Sequence, residues 1–346
     1  ACLLAAGLLA TGTVAAAPPY QLGQGYPLPW FGLTAGGYAS IHVSALDGEP
    51  TTLNVKELSL FLHGDPLPTW HFFTELEVGD VLTASKDRTA VFDGDFDVER
   101  LYLDHNLSAH DAVRMGKFLT PIGRWNQIHA DPLVWSVTRP LTTSAGFARH
   151  ASGLELYGSR SLGSGEVDYQ VYADATTALD PTEALEQTFA DADLPVNPAS
   201  SFKHGMGLYL RYRNVDDSLQ LGLSAARFSL KEQPPAKQLV GLDLFYTRWG
   251  WELSGEAIYR RDESGAGRSD RGGYVQLVAP VADRLYAIVS HERYRSALLP
   301  DTQEWTGIGL TYRPSPPLSF KLEYRDGRGD ARLVPDGVLF SLAVLL

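Results

Sequence analysis

From about residue 31 onward the side chains alternate in polarity with a period of two, and this pattern recurs along the rest of the chain. The clearest stretch is LSFKLEYR at 318–325, where Leu318, Phe320, Leu322 and Tyr324 share one face and Ser319, Lys321, Glu323 and Arg325 the other. A period of two marks a strand whose two faces meet different surroundings. Candidate strands fall at 32–45, 52–63, 68–79, 98–108, 110–119, 151–162, 165–174, 204–214, 217–228, 238–248, 250–261, 271–280, 283–294, 303–313, 317–326 and 336–346. That is about sixteen strands of about ten to fourteen residues, longer than the five or six of an ordinary sheet strand. An even number of long strands suits a closed antiparallel membrane barrel.

The connections alternate as well. Short turns (HGDPLP, LSAHD, LGSGE, NVDD, RWG, PVAD and RPSPP) are interleaved with longer polar segments at 46–51, 80–97, 120–150, 175–203, 229–237, 262–270, 295–302 and 327–335. Short periplasmic turns and longer extracellular loops produce this rhythm, whereas a soluble sandwich has no reason to keep its long connections on one side. With the start of the barrel in the periplasm, outward Trp70, Tyr212, Tyr246, Trp251 and Tyr312 fall near the short-turn end and Tyr259 and Tyr324 near the other, as two interfacial girdles. The expected fold is therefore all-β, a transmembrane antiparallel barrel of about sixteen strands. The facing of 110–119 and 283–294 is ambiguous from pattern alone.

A single barrel over 31–346 accounts for most of the chain. Residues 18–30 are proline-rich and read as a periplasmic lead-in, and residues 1–17 end in an Ala-x-Ala like that of a secretory signal. The lone cysteine, Cys2, lies in that leader, so a secreted chain would owe its stability to barrel closure and not to disulfides. No later apolar run is long enough for a transmembrane helix. The net charge of −12, with no basic stripe, disfavours nucleic acid as a partner. The acidic run 93–99 lacks the full calcium-loop pattern and reads as a solvated loop, and 180–195 carries a short surface helix; no metal or cofactor is expected.

If the apolar faces meet lipid, the charged faces line the interior. Arg100, Arg114, Arg211, Arg213, Arg260, Lys321 and Arg325 then lie on the lumen wall, with Glu75, Glu77, Asp104, Glu155, Asp168, Asp243, Glu256 and Glu323 among the acids. A dry core would not hold so many charges, but a barrel of about sixteen strands is wide enough for water. The cations form either a track for an anion or one half of a lattice of wall salt bridges.

One stretch breaks the strand rhythm. GKFLTPIGRWNQIHADPLVWSVTRPL, 116–141, runs without periodicity through Pro121, Gly123, Pro132 and Pro140 and belongs to the third extracellular loop, 120–150. Long irregular segments in a compact domain are usually functional or disordered, and this one is too apolar for disorder. Folding it inward buries Trp125, Ile128, Leu133, Val134 and Trp135 and leaves Arg124, His129, Asp131, Arg139, Arg149 and His150 near the narrowest point.

The run from RLYLDHNL through MGKFLTPIGRWNQIHADPLVWSVTRPL resembles the phosphate-selective porin O and P family, whose G-[KR]-F-x-x-P-x-G motif is met by Gly116, Lys117, Phe118, Pro121 and Gly123. The resemblance implies a sixteen-stranded barrel, usually a trimer, that passes anions or other small solutes, with Lys117, Arg124, His129, Asp131 and Arg139 as constriction residues by motif position. The small residues Gly36, Gly37 and Ala39 are the candidate trimer patch. The family's long arginine ladder and lysine cluster have no comparably basic counterpart here, which favours a general porin over a phosphate channel.

The function expected is passive diffusion of small hydrophilic solutes across the Gram-negative outer membrane, with anion preference from Arg124, Arg139 and Arg149. The alternatives are a sleeve barrel holding a periplasmic partner and, more remotely, a barrel enzyme. For the latter, His105 is the only outward histidine nominated and no serine accompanies it.

Overall fold

The computed structural model describes residues 20–28, 32–92, 94, 96–128, 130–176, 201–231, 235–264 and 268–346. The leader, the helix expected over 180–195 and His129 lie outside the described residues. Among the described residues, eighteen strands form one sheet. Two are short: Tyr26–Pro27 pairs with Thr34 and Ala35, and Thr89–Val91 pairs with 82–84. The remaining strands are β1 Leu33–Leu46, β2 Thr52–Leu67, β3 Trp70–Ser85, β4 Phe96–Asn106, β5 Asp111–Leu119, β6 His150–Leu162, β7 Gly165–Asp174 and β8 Phe202–Asn214. They continue as β9 Leu219–Leu230, β10 Lys237–Arg248, β11 Trp251–Asp262, β12 Ser269–Ala282, β13 Leu285–Arg295, β14 Gln303–Ser315, β15 Leu318–Arg328 and β16 Gly337–Leu345.

Each strand pairs antiparallel with its neighbours in sequence, and β16 returns to β1 with Gly337 opposite Leu46 and Leu345 opposite Tyr38. The sixteen-strand barrel is thus closed. Closure leaves no edge, so no row of backbone donors and acceptors faces lipid unpaired.

Side chains sort as the alternation predicts. The outer face is a band of exposed apolar residues, among them Leu60, Leu103, Leu156, Leu223, Leu242, Val275, Val289, Ile308 and Leu322. Tyr246, Trp251 and Tyr312 are exposed at the short-turn end, and Tyr259 and Tyr324 at the long-loop end; Trp70 and Tyr212 are half-buried. The ambiguous strands resolve. Arg114 of β5 stands between Asp104 and Glu155, on the charged face. On β13, Ile288, Ser290, Glu292 and Tyr294 are buried and Val289, His291, Arg293 and Arg295 exposed. His291 is therefore outward as His105 is, bonded to Thr306 at 3.0 Å, while His105 stacks on Trp70.

Two connections differ from expectation. HGDPLP is largely strand, because β2 runs to Leu67, and the loop expected from residue 80 is shortened because β3 runs to Ser85 and meets 89–91. Polar side chains do not prevent strand pairing beyond the apolar band, where both faces can be solvated. In the candidate trimer patch, Gly36 falls on the face of Tyr38 and not beside Gly37: a Cβ on Gly36 would lie 2.4 Å from the Phe61 ring.

Leu242 stands mid-strand in the outer band and is 62% exposed. Leu242→Arg should destabilise the barrel in lipid vesicles by about 2–4 kcal/mol, the cost of a cation near the bilayer midplane. Denaturant unfolding checks this; a change within about 0.5 kcal/mol, the range of an ordinary surface substitution, would mean that the band does not face lipid.

Candidate functional site

The segment between β5 and β6 is held by the charged face of the wall at many points. It contains a 3₁₀ turn, Trp125–Gln127, and a single helical turn, Leu141–Ser144. Its neck is closed by Asn126, whose amide donates to the carbonyls of Thr120 and Arg149, both at 2.9 Å, one at each end of the segment. Thr120 N–H donates to Arg149 O at 2.9 Å as well. Asn126 is fully buried, and its Oδ1 accepts from Arg139 at 2.8 Å.

Three wall glutamates bind the segment's backbone. Glu256 of β11 accepts from the N–H groups of Arg124 (3.0 Å) and Trp125 (2.5 Å). Glu323 of β15 accepts from Val137 N–H at 2.8 Å, Thr138 N–H at 3.3 Å and the Thr138 hydroxyl. Glu292 of β13 accepts from Leu141 N–H (2.8 Å), Thr142 N–H (2.7 Å) and the Thr142 hydroxyl (2.6 Å), and also from the Trp305 indole (2.6 Å). An irregular backbone carries many N–H groups that need partners when buried, and a carboxylate accepts several at once. Gly123 lies in this contact with φ +66, and a Cβ there would sit 2.0 Å from Glu256 Oε2, so glycine is required both by conformation and by room.

Asp131 forms a further anchor. Its carboxylate lies 2.6 Å from the Lys321 ammonium, 2.8 Å from His42 Nε2 and 2.7 Å from the Ser341 hydroxyl, tying the segment to β15, β1 and β16. Burial pushes this carboxyl up, but the Lys321 ammonium and the His42 ring outweigh it and hold it well below the usual carboxylate range.

The apolar seat lies mostly later in the segment than expected. Ile122, Leu141, Ala145, Phe147 and Ala148 pack with wall residues Tyr172, Phe228, Leu239, Ile258, Tyr294 and Trp305. Of the residues expected to seat it, Trp125 and Val134 are buried with Tyr274. Leu133, however, is 50% exposed, and Trp135 is half-buried beneath the Arg313 guanidinium, 4.0 Å from its ring centroid. The wall half of this seat was present in the sequence, in strands such as β9 whose inward positions end in Ala226, Phe228 and Leu230.

Most of the wall cations are engaged. Arg100 pairs with Glu75, Arg114 with Asp104 and Glu155, Arg211 with Asp168, and Arg213 with Asp168, Glu166 and Asp217. Arg260 is fully buried; it pairs with Asp270 and donates to the carbonyls of Ala145 and Gly146. These residues form the lattice of salt bridges more than an open track. Lys117 belongs to β5 and is buried, with its ammonium 3.7 Å from Asp97, the cross-strand partner of Glu77. Arg149 pairs with Glu99 at 2.7 Å, and His150 with the same carboxylate at 3.0 Å.

Glu99 escaped the sequence reading. The β3–β4 register shifts between Glu75–Arg100 and Leu76–Val98, leaving Glu99 as an extra residue outside the two-residue period. Among the described residues, four arginines on or beside this segment have no carboxylate in salt-bridge reach: Arg124, over the Phe245 ring at 4.0 Å; Arg139, on Asn126 and the Thr143 carbonyl; Arg313, on the carbonyls of Leu133 and Val134; and Arg325, on Pro335 O and Thr138 Oγ1.

No family model matches the chain. A protein of Aquifex aeolicus described as uncharacterized is 29% identical over 111 residues, 32% of this chain, and the match takes in 24% of that protein's length. Solved structures match over most of the chain. OmpF of Salmonella typhi, in complex with daunomycin, aligns with a TM-score of 0.61 at 9% identity over 90% of this chain and 96% of its own. The anion-selective porin from Comamonas acidovorans aligns at 0.58 and 15% over 90% and 98%. The outer membrane channel DcaP of Acinetobacter baumannii gives 0.58 and 11% over 91% and 97%. The likeness is one of fold alone: a closed antiparallel barrel of sixteen strands, as in these outer-membrane channels.

Asp131→Ala leaves the Lys321 ammonium buried without its carboxylate and should cost about 3–5 kcal/mol in denaturant unfolding. Because the folded Asp131 is held below its ordinary range, its contribution is present above the ordinary carboxylate pKa of about 3.9 and is lost only as pH falls through the lower folded value. Protease resistance of 122–139 should therefore stay level from about pH 8 to about pH 4 and decline only in stronger acid. A decline centred on neutral pH would rule out Asp131 as the controlling anchor.

Proposed function

We propose that this protein is an outer-membrane porin, a passive channel for small hydrophilic solutes in the Gram-negative outer membrane, whose constriction is formed by the segment between β5 and β6. The observation that carries this reading is the attachment of that segment to the wall: its bonds reach strands as far apart in the chain as β1, β11, β13 and β15. A segment bonded to the charged faces of widely separated strands crosses the lumen and narrows it. Water and ions then pass beside it, along the wall whose charges the lattice keeps solvated and fixed.

The same arrangement supports an anion preference. Three wall glutamates spend their oxygens on segment N–H groups, while Arg124, Arg139, Arg313 and Arg325 have no carboxylate in salt-bridge reach. The segment and the wall beside it thus hold guanidinium groups whose direct partners are rings, carbonyls and uncharged side chains. Of the residues expected there from sequence, Arg124, Asp131, Arg139 and Arg149 belong to this reading, with Asp131 as a structural anchor and Arg149 tied to Glu99. Phosphate is one candidate among small anions, consistent with the resemblance to the phosphate-selective family; the pairing of Lys117 and of most wall cations favours broader selectivity. A homotrimer is the assembly that accompanies this reading.

Reconstitution into planar bilayers tests the proposal. Stepwise conductance should appear, with a reversal potential under a salt gradient that favours anions. Arg124→Ser with Arg139→Ser should lower the anion-to-cation permeability ratio while leaving a conducting channel. Absence of current from folded protein would refute the channel, and a cation-selective wild type would refute the anion preference alone.

A further inference from the structure

The outer face at the long-loop end carries a group of arginines that the channel does not use. Arg271 of β12, and Arg293 and Arg295 of β13, are all exposed and point outward, in the same register as Val275, Leu277 and Val289 of the apolar band just below. Arg271 stands directly opposite Arg295, and Arg293 opposite Gly273. With no side chain at Gly273, the three frame a depression of about 360 Å³, completed by Gly272 and Thr302.

Like charges directly opposite across an antiparallel pair repel. A protein surface ordinarily relieves this with a nearby carboxylate, yet among the described residues none lies within salt-bridge distance of these three arginines. The nearest acid by register is Glu304 of β14, the cross-strand partner of Arg293, and no ion pair joins them. One acid against three guanidinium groups still leaves the depression cationic. Elsewhere on the same rim Arg227 binds Glu263 and Arg261 donates to the Gln238 side chain.

We infer that Arg271, Arg293 and Arg295 form a binding site for a phosphorylated lipid headgroup, the phosphate-bearing glycolipid of the outer leaflet. The height of the site selects this ligand. It sits immediately beyond the apolar band, beside the exposed rim residue Tyr259, which stands opposite Arg271, where headgroup phosphates lie when acyl chains cover Val275, Leu277 and Val289. Planar guanidinium groups match phosphate oxygens two at a time, and several converging on one depression bind a phosphate more tightly than scattered surface charges. Assignment to the outer leaflet rests on the orientation in the proposed function, with long loops outside; the binding chemistry does not.

Native mass spectrometry of the folded, detergent-solubilised protein with bisphosphorylated lipid A as the probe tests the site. Wild-type protein should retain the lipid, and the triple variant Arg271→Ser, Arg293→Ser, Arg295→Ser should weaken it by about tenfold or more. The fully dephosphorylated lipid should bind the wild type as weakly as the intact lipid binds the variant. Equal binding of intact lipid by wild type and variant, or of the two lipids by the wild type, would overturn the inference. Displacement by inorganic phosphate as effective as that by lipid A would overturn the assignment to a lipid in favour of a free anion. If the triple variant does not fold, Arg295→Ser, at the end of β13, replaces it and should weaken binding by about threefold. Channel conductance is recorded in parallel and should be the same in variant and wild type. A barrel without current that still shows arginine-dependent lipid binding would refute the channel and leave this site standing.

Discussion

Closure of the sheet by β16 on β1 is the constraint on which the rest depends. In a lipid phase every unpaired backbone N–H or C=O costs several kcal/mol, so a sheet with a free edge is not viable there. Pairing Gly337–Leu345 with the span Tyr38–Leu46 removes the edge and fixes an inside and an outside. The period-two pattern then acquires its meaning: one set of side chains must be apolar because it meets lipid, and the other is free to be charged.

That freedom creates a second problem, which the third long connection resolves. An interior lined by carboxylates is costly unless they are hydrogen-bonded, and an irregular segment brought inside is costly unless its N–H groups find acceptors. Glu256, Glu292 and Glu323 meet both needs at once, and Asp131 with Lys321 adds a buried pair. The residues that look most like channel chemistry in the sequence are therefore largely what holds the segment between β5 and β6 to the wall. In the proposed channel, selectivity falls to the arginines that this scaffold leaves without a salt bridge.

Legibility followed the range of the interactions involved. The strands, their number, the rhythm of turns and loops and the facing of most charged residues depend on neighbours two residues away, and the sequence displays them directly. The unusual character of 116–141 was visible because its prolines and lost periodicity are local. Glu99 was hidden by a bulge that shifts the two-residue period, and Leu133 was misassigned because apolar character does not say which side of a segment meets the wall. The seat formed by Leu141, Phe147, Ile258, Tyr294 and Trp305 joins residues far apart in the chain.

By itself, the sequence determined that this chain is an antiparallel membrane barrel with long connections at one end, because period-two polarity and strand length are sufficient for that. Only the tertiary structure decided which charges are cancelled. Whether an arginine meets a carboxylate depends on strand register and on the path of one irregular segment, and both are set by contacts among strands that the barrel brings together only when it closes.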